Sequence, residues 1–273
     1  MESIPTIAVD GARIVYRRIG KGRPLLVLNG FGATSADWDP SFIDRLASSH
    51  ELILLNHRGI GGSTDDRQPF DIAKLAADAA RVIETLGIER ANVMGWSMGG
   101  FIAQAFALKY ADRVDKLVLL STDFGGIEAD LASPEVWSEL IDTSGAPNEQ
   151  ARRLLFLLFP TDVAESFYRQ FGDIVTAARA QLSVELLNRQ AAAMDAWHRD
   201  GVASQLREIR VPVLIATGTE EFLHLMMPGP GQVFRREAIT PLYTLTYSAA
   251  ERSHEKSFRI PLTCSRRHAR CCR

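Results

Sequence analysis

Ser97 lies at the centre of Gly95-Trp96-Ser97-Met98-Gly99, and the stretches on its two sides differ in period. Ala91 to Met94 is an apolar run, whereas Phe101-Ile102-Ala103-Gln104-Ala105-Phe106-Ala107-Leu108 repeats as a helix does. The pattern predicts strand, sharp turn and helix, with a serine at the apex. Glycines two before and two after Ser97 let the chain bend tightly and let strand and helix approach closely. At such a turn the hydroxyl stands exposed, and the helix points backbone N–H groups at the same place. That is a setting for a serine nucleophile. Gly-x-Ser-x-Gly alone arises by chance in roughly one chain in ten of this length; the flanking strand and helix give it weight.

The elements around this turn put further loops on its edge. Pro24 to Leu28 reads as a strand buried on both faces and ends in Asn29-Gly30-Phe31-Gly32. Leu52 to Leu55 is a second such strand and ends in Asn56-His57-Arg58-Gly59-Ile60-Gly61-Gly62-Ser63. In open α/β sheets ligands bind outside the carboxyl ends of the strands, where both loops and Ser97 fall. Ile4 to Val9 and Arg13 to Ile19 form a hairpin about Asp10-Gly11. Trp38 to Ser48 and Asp71 to Leu86 read as helices, the second with Asp71 as N-cap and Gly87 at its end. Lys116 to Leu120 is another strand, closing in Ser121-Thr122-Asp123-Phe124-Gly125-Gly126. From Ile127 to about Gly201 the signal is only helical, with breaks at Gly145-Ala146-Pro147, Pro160 and Gly172. Strands resume at Val211 to Ala216 and again at Thr240 to Tyr247. The expected architecture is α/β: a mostly parallel central sheet flanked by helices, with residues 1–126 and 202–273 as core and 127–201 as an inserted helical lid.

Bulk properties narrow the function. A chain of 273 residues, 46% hydrophobic and 23% charged, has an ordinary globular composition. A net charge of −2 gives no reason to expect a nucleic-acid or acidic-membrane partner. No apolar run approaches the ~20 residues of a membrane span, and the first residues lack a secretory pattern. Cys264, Cys271 and Cys272 are the three cysteines, so the body can hold no internal disulfide. Together these features suit a cytoplasmic protein. Adjacent cysteines make poor metal ligands, and Gly59 to Gly62 lacks the Gly-Lys-Ser/Thr ending of a phosphate loop. No cofactor is expected.

The motifs in this order resemble the α/β-hydrolase superfamily. The family's oxyanion loop usually reads His-Gly-x-Gly, here Asn29-Gly30-Phe31-Gly32; Asp-x-Arg-Gly-x-Gly-x-Ser is matched by Asn56 to Ser63. Val-Pro-x-Leu-x-x-x-Gly is matched by Val211-Pro212-Val213-Leu214 and Gly218. The asparagines that replace a histidine and an aspartate sit in loops that mainly place backbone. The resemblance implies serine-type acyl transfer, with Ser97 activated by an imidazole that a carboxylate orients. It also implies backbone N–H groups of Phe31 and Met98 as oxyanion donors.

For the acid, the resemblance points to Glu221, three residues after the glycine that ends the strand, or to Asp123 after the preceding strand. For the base it points past the last strand to His254, with His224 and His268 behind it. His57 lies on the active edge but too early in the chain for that role. His50 reads as a helix-end surface residue and His198 as part of the lid. From Phe222 onward the composition changes: Pro228-Gly229-Pro230-Gly231 and an arginine- and cysteine-rich end replace the expected helices. The change suggests a reading frame shifted near Glu221.

The expected function is hydrolysis of small to medium carboxylic esters or lactones through an acyl-enzyme on Ser97. Leu154 to Phe159, Trp137 and Trp197 either line an acyl pocket or pack the lid onto the sheet. The same fold also carries cofactor-free haloperoxidase, perhydrolase and carbon–carbon bond hydrolase chemistry. A binding protein without a working base is a further alternative.

Overall fold

The structure is a computed structural model, and it describes residues 4–218 together with the backbone of 242–247. Eight strands form one sheet: β1 (Thr6–Val9), β2 (Ala12–Ile19), β3 (Arg23–Leu28), β4 (His50–Leu55), β5 (Ala91–Trp96), β6 (Val114–Leu120), β7 (Val213–Gly218) and β8 (Leu242–Tyr247). Their order is β1-β2-β4-β3-β5-β6-β7-β8. The β1–β2 and β2–β4 pairs are antiparallel and every later pair is parallel. The parallel strands are apolar on both faces because helices cover both. Leu26, Leu28, Ile53 and Leu55 face α2 (Ile72–Thr85) and α3 (Met98–Lys109). The alternating residues Leu25, Val27, Leu52 and Leu54 face Ile43 of α1 (Pro40–Ala47).

Between β6 and β7 the chain makes four α-helices, α4 (Pro134–Ile141), α5 (Pro147–Leu158), α6 (Thr161–Ala180) and α7 (Val184–Asp200), and a short 3-10 helix over Ala203–Glu208. Pro147 sits at the start of α5 and Pro160 just before α6, so both expected breaks are boundaries. The break expected at Gly172 is absent. A glycine costs a helix interior only about 1 kcal/mol relative to alanine, and α6 runs through it packed on α5. Asp71 caps α2 as expected, accepting from the Lys74 backbone N–H at 2.7 Å. His50 opens β4 rather than ending a helix, with Nδ1 2.9 Å from the Ser49 hydroxyl.

Asp78 interrupts the buried face of α2, and Arg58 explains it. From the loop after β4, Arg58 donates to both carboxylate oxygens of Asp78, at 2.7 and 2.9 Å, and to the Asp10 carbonyl at 2.9 Å. This buried fork ties the β4 loop, α2 and the β1–β2 turn together. Asp78→Ala would leave the guanidinium buried without its main partner. The expected cost is about 3 kcal/mol or more of unfolding free energy, measured by urea denaturation at pH 7.

Candidate active site

The N–H of Ser97 donates to the Leu120 carbonyl at 2.9 Å, and its own carbonyl accepts from Gly100 N–H at 2.7 Å. The Thr122 hydroxyl donates to the same carbonyl at 2.9 Å. These bonds hold the residue at φ 54 and ψ −124, in the left-handed half of backbone space that side-chain-bearing residues seldom adopt. Strand and helix meet closely enough that a Cβ on Gly95 would overlap the Gly99 carbonyl. A Cβ on Gly99 would overlap the Leu28 carbonyl. The spacing of the two glycines follows from that approach. Ser97 is thereby lifted to the start of α3, where the first helical N–H groups lack intrahelical partners.

The loop after β3 lies against this turn. A Cβ on Gly30 would sit 3.3 Å from the Ser97 Cβ and 3.1 Å from the Trp96 ring. Among the described residues neither Phe31 N–H nor Met98 N–H has a hydrogen-bond acceptor. Phe31 follows Gly30 and Met98 follows Ser97, so both donors belong to the loop and the turn that meet there. The side chains around them are spent on placing the loop. Asn29 donates to the Leu55 carbonyl at 2.7 Å and accepts from Trp38 Nε1 at 2.6 Å. Asn56 donates to the Gly61 carbonyl and accepts from Ser35 N–H, both at 2.7 Å.

His57 is buried, with Nε2 3.0 Å from the Asn29 carbonyl. A carbonyl only accepts, so Nε2 carries the proton and the ring braces the loop. Burial lowers its pKa from 6.5 to about 4, and the Asn29 bond opposes that only in part.

Asp123 follows β6 and is buried. One carboxylate oxygen accepts from Gly125 N–H at 2.8 Å; the other lies 3.3 Å from His198 Nε2, out of line for a hydrogen bond. Gln104 of α3 holds the Asp123 carbonyl at 2.7 Å. His198 stands edge-on to Phe101 and Trp137, and Trp197 stacks on Phe101. Trp197 thus packs α7 onto the helix behind Ser97. Leu154 packs with Val136, Trp137, Leu140 and Leu157 among the inserted helices. A further contact had no motif to announce it: fully buried Gln190 of α7 accepts from Gly32 N–H at 2.9 Å. Glu221, His224, His254 and His268 lie outside the described residues. Among the described residues no cluster of histidine, cysteine and carboxylate side chains could hold a metal, and no helix is long and apolar enough to cross a membrane.

A serine on a strand-turn-helix at the carboxyl edge of a mostly parallel sheet, with helices inserted after β6, defines the class. The chain belongs to the alpha/beta hydrolase fold family, whose family model matches residues 23–223. It is 31% identical over 216 residues to the putative carbamate hydrolase RutD of Azorhizobium caulinodans, covering 78% of each chain. It is 30% identical over 225 residues to a 2-hydroxy-6-oxononadienedioate/2-hydroxy-6-oxononatrienedioate hydrolase of Paraburkholderia phymatum, covering 77% of this chain and 75% of that one. A crystal structure of a hydrolase from Pseudomonas aeruginosa superposes with a TM-score of 0.70 at 25% identity, covering 90% of each chain.

The folded protein keeps His57 neutral down to about pH 4, whereas an unfolded histidine takes its proton near 6.5. The unfolded state then binds more protons, so stability falls as pH drops through that window. The loss amounts to about 3 kcal/mol. Urea denaturation of wild type and His57→Gln at pH 7 and pH 4 checks this. The variant's stability should change less between the two pH values by about that amount.

Proposed function

We propose that the chain is a serine hydrolase that cleaves small to medium carboxylic esters or lactones through an acyl-enzyme on Ser97. One observation carries the reading: Ser97 stands at a strained turn, and the backbone N–H groups of Met98 beside it and of Phe31 on the adjoining loop have no acceptor among the described residues. Ser97 Oγ attacks the substrate carbonyl carbon as the base takes its proton. Phe31 and Met98 N–H groups stabilise the oxyanion, each worth roughly 3–4 kcal/mol of barrier. Collapse breaks the carbon–oxygen bond to the alcohol, and the base returns the proton to the leaving oxygen. Water then cleaves the acyl-serine by the same steps. His254 is our candidate base and Glu221 our candidate acid. The commitment of Asp123 to Gly125 N–H and its place beside His198 favour Glu221 over it.

Helices α4 to α7 form a lid in this reading, and the protein works in the cytoplasm on small molecules. The relatives' names, a carbamate hydrolase and an oxo-dienedioate hydrolase, support hydrolysis at a carbonyl carbon. The second of those names favours one alternative, carbon–carbon bond hydrolysis from the same serine turn.

The intact chain should hydrolyse p-nitrophenyl butyrate, and Ser97→Ala and His254→Ala should each lower kcat by on the order of 10⁴-fold or more. An unaffected Ser97→Ala would overturn the proposal. Loss in Ser97→Ala alone would move the base to His224. An inactive intact chain that still reacts covalently at Ser97 would mean a hydrolase fold whose tail supplies no base.

A further inference from the structure

Arg179 closes α6 and is only 9% exposed, yet no carboxylate pairs with it among the described residues. The other deeply buried arginine, Arg58, has Asp78, and Arg189 has Asp65 at 2.8 Å. For Arg179 the partner is a neutral amide: Gln150 Oε1 lies 3.3 Å from Nε and 3.1 Å from Nη2. Gln150 is itself fixed, donating to the carbonyls of Thr143 and Gly145. Burial, and then the like charge of Arg153, push the guanidinium below its usual pKa. A cation this deep without an anion is costly, and buried charges are ordinarily paired.

The free end of this guanidinium reaches the loop of the proposed site. A Cβ on Gly32 would sit 3.1 Å from Arg179 Nη1, with Leu182 and Leu187 alongside. Nη1 has no acceptor among the described residues and is not sealed from solvent. Gln190, which holds Gly32 N–H through Oε1, has its Nε2 buried without an acceptor. Gly32 is thus held from α7 through Gln190, while from α6 it meets a guanidinium nitrogen that has no acceptor among the described residues. Only Phe31 separates Gly32 from the glycine that lies against Ser97.

We infer that Arg179 forms a carboxylate-binding subsite beside the oxyanion loop, so that the protein's substrates are esters or lactones bearing an acid group. This rests on the hydrolase reading above. The carboxylate supplies the charge Arg179 lacks and fixes the substrate with its carbonyl over Ser97. Lysine could supply charge there but not the planar fork that Gln150 and the ligand share.

Two substrate pairs test it: mono-p-nitrophenyl glutarate against p-nitrophenyl valerate, and 4-carboxyphenyl butyrate against phenyl butyrate. In at least one pair the acid ester should have the higher kcat/KM. Arg179→Gln should lower that acid-to-neutral ratio by about 10- to 100-fold, mainly through KM, as loss of a charge-assisted bond requires. Arg179→Lys should retain an intermediate ratio. No acid preference in either pair, or a ratio unchanged in Arg179→Gln, overturns the inference. Should Arg179→Gln fail to fold, competition in the wild type decides: glutarate must inhibit about tenfold better than neutral glutaramide. If no ester is turned over, the hydrolase reading fails by itself. Calorimetric titration of glutarate into Ser97→Ala protein then separates the two claims, since binding supports the subsite and absence of binding removes it.

Discussion

Ser97 occupies a backbone conformation that costs a residue with a side chain roughly 1–3 kcal/mol, and its neighbours are arranged to hold it there. Leu120, Gly100 and Thr122 bond its backbone, and β5 and α3 close on one another through Gly95 and Gly99. The cooperation of sheet and helix is what sustains the strain. β5 lies between β3 and β6, so the loop after β3 falls on one side of the turn and Thr122 with Asp123 on the other. α3 is buried along most of its length, so it cannot shift to relieve the turn.

A second constraint follows from the first. In the proposed reading, backbone donors beside Ser97 need a rigid loop, and the loop after β3 is braced from two sides. Below, His57 and Asn29 join it to the ends of β4 and to Trp38, and Asn56 joins the next loop to Ser35. Above, Gln190 reaches from α7 to Gly32 N–H. The inserted helices are therefore connected to the sheet edge that carries Ser97. Packing of Trp197 on Phe101 ties the same helix to the one that carries the serine turn.

Much of the architecture is legible in the sequence because periodicity and glycine placement are local signals. The continuous apolar runs of β3 and β4 mark strands buried on two faces, and Asp71 and Gly87 mark the ends of α2. Gly172 misleads because the propensity cost of one glycine is small beside the packing of α5 on α6. What pattern reading misses is long-range pairing. Nothing local marks Gln190 as the partner of Gly32, Asp123 as the neighbour of His198, or Arg179 as a buried cation; each looks like an ordinary polar residue on a helix or loop. The turn at Ser97 and the loops after β3 and β4 are recognisable because backbone geometry dictates their glycines. Glu221 and His254 lie outside the described residues.

We propose that the strained turn makes Ser97 a nucleophile. Reaction of the intact chain with a fluorophosphonate, followed by peptide mass spectrometry, tests this directly. One phosphonyl group per chain is expected, located on Ser97 and absent from Ser97→Ala protein. Modification of another residue at comparable rate, or none at Ser97, would contradict it.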